Sequence, residues 1–448
     1  PAVKREVTLK DEQILFLRKA ARRTWAFFET FVTDGDNWLP PDNFQEHPTG
    51  VIAHRTSPTN IGLSLLANLS ACDFHYITPG EFIRRTDNTL NTMGKMDRFR
   101  GHFYNWYDTQ TLKILPPHYI STVDSGNLCG YLLILKKGLQ ELPGKKIIGE
   151  RLFQGISDTF HVLQDVERDL PETELKGFKD RLEKCADFQQ MSTKEGWHLL
   201  DALEKTAFAL AAAFEAGRQG QSSRWAQSLV SHCLDAAGEL TALCPWVTMD
   251  IPSDRAARLV AEINLPTLQE TVDLPRRFQS AFNEKIGPAA DDNEKAWFAE
   301  FVAKLAEGSL RAQKRLKIVD CLVKRSEEFA EMDYSFLYDK GRQLLTIGYS
   351  VGDRRRDKSY YDLLASEARF CSYVVIAKGE LPQENWFALG RMLTNPGGDP
   401  VLLAWDGSMF EYLMPLLVMP NYENTLLDQT YKAAVKRQMI YGEEMGVP

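Results

Sequence analysis

The chain has 448 residues, of which 44% are hydrophobic and 25% charged, and its net charge is −8 at pH 7. This length predicts two or three domains, or one large toroid or barrel. The negative charge, without a basic stripe, argues against a nucleic-acid partner. No apolar run approaches the roughly 20 residues of a membrane helix, which predicts no membrane insertion of this segment. The chain opens on proline and charged residues without a signal peptide, which suggests a piece excised from a longer polypeptide.

Cofactor and metal signatures are absent from the sequence. The seven cysteines are scattered without zinc or redox spacing, and the eight histidines lack metal-ligand spacing. There is no phosphate-binding loop, dinucleotide-binding glycine pattern, nucleophile elbow or zinc-protease helix. We therefore expect a reducing compartment, no cofactor and no metal.

Predicted helices alternate with loops rich in Asp, Asn, Trp, Tyr and Arg. In the N-terminal third, helices are expected over residues 10–33, 61–71, about 79–98 and 128–135. Strand-like alternation is scarce outside residues 344–350 and 402–405. This order favours an all-α helical toroid with functional loops at one end.

The middle of the chain differs in composition from both ends. From about residue 138 to residue 332 the aromatic-rich loops disappear and helix-forming residues dominate. We interpret this part as helical scaffold plus a variable insertion, within one domain that spans residues 1–448. It contains no chemical motif.

A helix is predicted from Ser359, a plausible N-cap, to Gly379, which favours a helix end. Its apolar stripe runs through position 367, so Glu367 projects from the face expected to be buried. A buried carboxyl is costly unless it is paired, protonated or lining a cavity. Two interpretations remain open: a pair with a buried arginine, or an acid of raised pKa that protonates a leaving group.

Three other carboxylates lie among polar and aromatic residues, and each has a structural alternative. Asp124 precedes a predicted helix and is a possible N-cap. Asp108 ends a tight loop and is a possible turn residue. Glu411 follows Ser408 by three positions, which is the spacing of a capping box.

Carboxylates surrounded by Trp, Tyr, Asn and Arg are typical of sugar recognition, in which aromatic faces pack on pyranose rings. Glycosyl chemistry then requires two carboxyl groups, one of which protonates the departing oxygen. Trp106, Tyr107 and Trp405 suit such a cleft, although aromatic side chains more often belong to the core.

Several segments resemble the cyclisation domain of bacterial cyclic β-1,2-glucan synthases. They are HRTSPTNIG at 54–62, FYNWYD at 103–108, STVDSGNL at 121–128, YYDLLASEAR at 360–369 and GSMFEYLMP at 407–415. The likeness is close over residues 1–140 and 330–448 and loose between them.

This resemblance implies an (α/α)6 toroid related to β-1,2-glucanases and glucoamylase-like domains. It implies a retaining transglycosylation. A β-1,2 bond of the glucan is cut, and the non-reducing end of the same glucan accepts the glycosyl group. Glu367 matches the general acid/base of the family. The second catalytic carboxylate of the family lies just beyond the Gly-Val-Pro that ends this sequence, and no residue of this chain matches it.

The resemblance also implies the partners and the contacts of the domain. The partners are a linear β-1,2-glucan chain and the other domains of a synthase anchored in the bacterial inner membrane, on its cytoplasmic side. A hydrolase of β-1,2-glucan and a non-catalytic glucan-binding module remain alternatives. The expected substrate contacts are Arg55, Asn60, Trp106, Tyr107, Asp108, Asp124, Asn127, Tyr361, Asp362, Arg369, Trp405 and Glu411.

Overall fold

The computed structural model describes residues 8–149, 151–166, 172–185, 191–215, 221–285, 291–395 and 398–447. Helices dominate this part of the chain. They are α1 (Asp11–Phe31), α2 (Pro58–Asp73), α3 (Pro79–Met93), α4 (Thr122–Glu141), α5 (Arg151–Val166), α6 (Glu172–Glu183), α7 (Thr193–Glu215), α8 (Gln221–Leu243), α9 (Asp254–Ala261), α10 (Leu268–Lys285), α11 (Asp292–Phe329), α12 (Ala368–Ala377), α13 (Glu384–Ala388), α14 (Met409–Leu413) and α15 (Leu426–Met445). The predicted all-helical class is confirmed.

The described strands are two or three residues long, and all pair antiparallel. They are β1 (Phe44–Gln45), β2 (Val51–Ile52), β3 (Arg55–Thr56), β4 (Arg98–Phe99), β5 (His102–Phe103), β6 (Tyr107–Asp108), β7 (Tyr119–Ser121), β8 (Tyr338–Asp339), β9 (Leu344–Leu345), β10 (Gly348–Ser350), β11 (Arg355–Arg356), β12 (Leu393–Thr394) and β13 (Val401–Leu402). Strand β10 pairs with both β7 and β11, in a register that places Gly348 opposite Ser121. This small sheet connects the N-terminal third of the sequence with its C-terminal third.

Helix starts follow ordinary capping rules. Ser57 accepts a hydrogen bond from the backbone N–H of Asn60 and is followed by Pro58 at the first position of α2. Ser121 caps α4 in the same way, by accepting from the N–H of Asp124. The N-cap of α4 is therefore Ser121 and not Asp124, and this helix begins six residues before its predicted start at residue 128.

The predicted helix over residues 359–379 is wrong in its first half. Helix α12 begins only at Ala368, after a run of turns. Tertiary hydrogen bonds hold these turns: the N–H of Leu363 donates to the carbonyl of Gly390 at 3.0 Å, and the N–H of Ser366 donates to Glu411 Oε1 at 3.2 Å. A backbone N–H used in this way is not available to a helix.

The buried apolar residues form two large cores and a smaller third cluster, which contains Leu364 and Ala368 beside Glu367. The scaffold core contains residues between Ile147 and Ala312 together with Ala26, and it lies mainly among α5, α7, α8, α10 and α11. The site core contains residues 25–142 and 319–414, from α2, α3, α4 and α12 among others. Helix α11 contributes Phe301 and Leu305 to the scaffold core and Val319 and Leu322 to the site core.

Helix α4 is buried on nearly all sides between α2, α11 and α12. Two glycines let α12 approach it closely. A Cβ added at Gly126 would lie 2.3 Å from Cys371 Sγ, and one added at Gly130 would lie 2.3 Å from a ring carbon of Phe370. The first turn of α4 is thereby held against the start of α12. Among the described residues, no helix is long and apolar enough to cross a bilayer.

Candidate active site

Glu367 is the last residue before α12, and its side chain is only 3% exposed. Its Oε1 accepts a hydrogen bond from Asn127 Nδ2 at 3.2 Å, and Ser366 Oγ donates a short hydrogen bond to its Oε2. Burial raises the pKa of Glu367, and the nearby Asp124 carboxylate raises it further. The hydrogen bonds from Ser366 and Asn127 oppose this shift without cancelling it. The carboxyl is thus biased toward its protonated form.

The arginine-pair interpretation of Glu367 is not supported. Arg369 is fully buried two residues away, but its guanidinium donates to the backbone carbonyls of Glu411 and Tyr412, both at 2.8 Å. Within the part of the chain that the structure describes, no cation forms an ion pair with Glu367. The buried carboxyl is instead held by the neutral donors of Asn127 and Ser366.

A hydrogen-bond chain connects Glu367 to Asp124. Thr59 Oγ1 donates to Asp124 Oδ1 at 2.6 Å and accepts from Asn127 Nδ2 at 3.0 Å. The same Asn127 amide nitrogen donates to Glu367. The chain therefore joins the first turn of α2, the first two turns of α4 and the start of α12.

Asp124 has a second neighbour on its other oxygen. With the amide of Asn105 oriented to suit both neighbours, its nitrogen donates to Asp124 Oδ2 at 3.2 Å and its oxygen accepts from Trp106 Nε1 at 3.2 Å. Both carboxylate oxygens of Asp124 thus accept hydrogen bonds, and the residue as a whole is half-buried. Asp124 therefore provides a polar group at the edge of the site.

Arg55 and Trp106 form a second polar and aromatic element. The Arg55 guanidinium lies 4.9 Å from the ring centroid of Trp106 and forms a 2.9 Å ion pair with Asp42. Asn60 Nδ2 donates to the other Asp42 oxygen at 3.3 Å. Arg55 is exposed and Trp106 half-buried, so both remain accessible to a ligand.

Trp405 provides an exposed aromatic face on the C-terminal side. Its ring stacks on Tyr361 with centroids 5.7 Å apart, and 48% of the residue is exposed. Tyr361 is buried, with its hydroxyl donating to the carbonyl of Ile347 at 3.1 Å. Asp362 is half-buried and lies against Gly390, where an added Cβ would be 2.2 Å from Asp362 Oδ1. Of these three predicted contacts, Trp405 is the most exposed.

Four of the predicted substrate contacts have structural roles in the fold. Tyr107 is fully buried, and its hydroxyl donates to the carbonyl of Asp97 at 2.6 Å. Asp108 Oδ1 accepts from the backbone N–H groups of Gln110 and Thr111, so it is the turn residue of the alternative interpretation. Arg369 is committed to two backbone carbonyls, as described above. These hydrogen bonds serve the fold, so they favour the structural interpretation of Tyr107, Asp108 and Arg369.

Glu411 is the fourth of these residues. It is 2% exposed and forms the predicted capping box with Ser408. Its carboxylate also accepts from the backbone N–H groups of Trp405, Asp406 and Ser366. Glu411 therefore organises the loop that carries Trp405 and holds the residue before Glu367.

Sequence reasoning did not single out Thr59, Ser366 or Asn105. All three lie inside the segments that carry the resemblance, but a short polar side chain in a loop gives no signal of its own. Thr59 follows the capping Ser57 and Pro58 in the first turn of α2, where its hydroxyl is not needed for capping. Its partners are more than 60 residues away, so only the folded chain reveals them.

Comparisons with known proteins add the following findings. No family model matches the chain. The chain is 35% identical over 453 residues to the cyclic beta-(1,2)-glucan synthase NdvB of Rhizobium meliloti (strain 1021), an alignment that spans 99% of this chain and 14% of that protein.

Two solved structures are similar to parts of this chain, with low identity and low TM-scores. A putative glucoamylase from Bacteroides fragilis is 17% identical, with a TM-score of 0.26 over 37% of this chain and 41% of that chain. An endo-beta-1,2-glucanase from Chitinophaga pinensis is 16% identical, with a TM-score of 0.25 over 35% of this chain and 39% of that chain. The sequence alignment is the informative comparison: over nearly its whole length, the chain is related to one segment of a cyclic β-(1,2)-glucan synthase.

Proposed function

We propose that this chain processes β-1,2-glucan, and that it closes linear chains into rings by retaining transglycosylation with Glu367 as the general acid/base. The observation that carries the proposal is the buried Glu367 carboxyl, whose pKa is raised and which has neutral hydrogen-bond donors in place of a cation. A carboxyl in this condition suits proton transfer to a leaving oxygen near neutral pH.

The proposed reaction has two proton transfers, both at Glu367. In the first, a second carboxylate attacks the anomeric carbon, the β-1,2 bond breaks, and Glu367 gives its proton to the departing 2-oxygen. In the second, the Glu367 carboxylate takes the proton of the 2-hydroxyl at the non-reducing end, and that oxygen displaces the enzyme carboxylate. The second carboxylate is not assigned to a residue of this chain.

The substrate is proposed from the relative and from the accessible side chains. The relative is named for a cyclic β-(1,2)-glucan. Trp405 offers an exposed aromatic face, while Arg55, Asn60 and Asp124 offer polar groups for sugar hydroxyls. Aromatic faces with a few placed polar groups are the usual composition of a carbohydrate cleft. These side chains support glucan binding whether the reaction is cyclisation or hydrolysis.

Because the second carboxylate is not assigned to a residue of this chain, the test is an incubation of the parent protein that contains this chain with linear β-1,2-glucan, followed by an exo-acting β-glucosidase. Products that resist digestion have no free end, and they are the expected result. Short digestible products would indicate a hydrolase instead, and unchanged substrate with retained binding would indicate a binding module. Glu367→Gln is expected to abolish product formation, whereas Glu384→Gln, at an exposed glutamate of α13, leaves it unchanged. Unchanged product formation in Glu367→Gln would exclude the catalytic assignment.

The setting of this activity is also a proposal. Since the chain spans 14% of its relative, we propose that it works beside other domains of a larger synthase. We extend the proposal to its location, on the cytoplasmic side of a bacterial inner membrane, which is what the resemblance implies. Co-purification of the chain with the remaining domains of its parent protein tests this arrangement.

A further inference from the structure

The close contact between α4 and α12 fixes how far apart two carboxyl groups are. Gly126 faces Cys371 on α12 with no room for a side chain. Asn127, the next residue, therefore reaches Glu367 directly with its amide nitrogen. Thr59 connects the same amide to Asp124. The two carboxyls are thus held in one rigid assembly and not on independent loops.

The two carboxyl groups of this assembly have opposite surroundings. Asp124 is half-buried, receives hydrogen bonds from Thr59 and Asn105, and lies in the first turn of α4, where the helix dipole favours negative charge. Glu367 is buried, and its donors are outweighed by the loss of water. A negative charge on one of two neighbouring carboxyls disfavours ionisation of the other.

We propose that Asp124 is a positioning residue for Glu367: through Thr59 and Asn127 it holds the Glu367 carboxyl in place, and as a nearby like charge it favours the acid form of Glu367. The inference rests on the proposed role of Glu367 as an acid. It adds that a second carboxylate, which does not itself react with the sugar, favours retention of the proton on Glu367.

The other titratable groups around Glu367 do not provide this charge. Tyr131 on α4, Tyr361 in the preceding turns and Cys371 on α12 are buried, and burial raises the pKa of each, so they are neutral near pH 7. The remaining charged neighbours are Arg369, which is bound to backbone carbonyls, and Glu411, which is bound to backbone N–H groups. Asp124 is the charge that acts most strongly on the Glu367 carboxyl.

The proton balance during the reaction follows from this arrangement. When Glu367 gives its proton to the departing oxygen, the assembly carries two negative charges. Asn127 and Ser366 then donate to a full carboxylate, which such donors stabilise. Repulsion from Asp124 favours recovery of a proton from the incoming hydroxyl. Asp124 thus assists both halves of the exchange without bonding to the sugar carbon.

The test is a titration of the Glu367 carboxyl in the full chain, observed by NMR with δ-¹³C-labelled glutamate. The Glu367 signal is assigned by its absence in Glu367→Gln. We expect Asp124→Asn to lower the titration midpoint of Glu367, because the like charge is removed. Asp124→Glu should restore it, and Asp353→Asn, at an exposed loop carboxylate, should leave it unchanged. In an active chain the high-pH limb of kcat should move to lower pH in Asp124→Asn.

An unchanged midpoint in folded Asp124→Asn would overturn the inference. If that variant does not fold, Thr59→Val tests the same point, because it releases Asp124 toward solvent and should lower the midpoint by a smaller amount. A lowered midpoint in a chain without glucan turnover would support the inference and refute the proposed reaction. If turnover depends on Glu367 but its titration midpoint is the same in Asp124→Asn and Thr59→Val, the proposed reaction is supported and this inference is refuted.

Discussion

Three buried carboxylates of the scaffold differ from the buried Glu367 carboxyl of the site in their hydrogen-bond partners. In the scaffold, Asp158 pairs with Arg18 at 2.8 Å, Glu239 Oε2 accepts from Arg315 Nη2 at 2.7 Å, and Glu294 pairs with Arg255 at 2.6 Å. In the site, Glu367 is as deeply buried and has neutral donors instead.

A buried carboxylate paired with a cation has a stable charge, and its loss leaves the partner uncompensated. A buried carboxyl without a cation remains able to take up and release a proton. The difference separates the cation-paired carboxylates that hold the scaffold helices together from Glu367, whose pKa is raised by burial. It also predicts that substitutions in the two regions affect different observables.

The largest expected effect on stability comes from breaking a scaffold pair. Glu239→Gln leaves Arg315 without its anion and weakens the contact with the backbone of Gly80, so we expect a loss of about 3 kcal/mol in the free energy of unfolding. The isosteric Glu367→Gln should cost much less. Urea unfolding of the two variants side by side measures this difference. Equal destabilisation would remove the distinction between the two regions.

Two glycines extend the comparison to helix packing. Gly126→Ala places a methyl group against Cys371 at the site, and we expect it to cost about 1–3 kcal/mol and to reduce turnover by separating Asn127 from Glu367. Gly238, inside α8, has open space around it, so Gly238→Ala should stabilise the chain by about 1 kcal/mol. Thermal unfolding together with turnover checks both signs. A Gly126→Ala chain with full activity would show that the close approach of α4 and α12 is unnecessary.

A smaller effect is expected at the exposed aromatic face. Trp405→Ala should weaken glucan binding about tenfold, or roughly 1.4 kcal/mol, with little change in stability, because half of the ring is already exposed. Phe387→Ala, at a residue that is 68% exposed, serves as the control and should leave binding unchanged. Isothermal titration with linear β-1,2-glucan measures both variants. Equal affinities would place the sugar elsewhere.

The smallest effect is a pH slope. Because the pKa of Glu367 is raised in the folded chain, the native state binds more protons than the unfolded state once the pH exceeds the unfolded value near 4.5. Its contribution to stability is therefore complete at lower pH and is lost as the pH rises through the folded pKa. Denaturation measured from pH 4 to pH 8 should show this decline in the wild type and a flatter profile in Glu367→Gln. Identical profiles would mean that the carboxyl is not protonated in the fold.

Part of this picture was predictable from the sequence. Helix α1 follows from its amphipathic spacing, α2 starts at the capping residue Ser57 followed by Pro58, and the capping box of Ser408 and Glu411 is present as predicted. The burial of Glu367 was also predicted, although from a helix that does not extend to it. Apolar neighbours such as Leu364 bury the position in either conformation.

The rest depends on contacts that no local pattern encodes. The turns before α12 exist because Gly390 and Glu411, both distant in sequence, accept backbone hydrogen bonds from them. The cap of α4 is ambiguous because Ser121 and Asp124 are both good capping residues one turn apart. The chain from Asp124 through Thr59 to Glu367 joins residues up to 308 positions apart (59 to 367), and it arises only when three helix starts meet.

Helix α11 has a consequence for anyone who wishes to divide the molecule. Its 38 residues extend for about 57 Å, at 1.5 Å per residue, and anchor in one core before Ala312 and in the other after Val319. A boundary between the two regions would have to cut through an unbroken helix, leaving each fragment with a frayed end and an uncovered apolar stripe. We expect the two regions to unfold together as one cooperative unit. The scaffold contributes no side chain to the hydrogen-bond chain at the site, but we expect that deleting it would unfold the rest of the molecule.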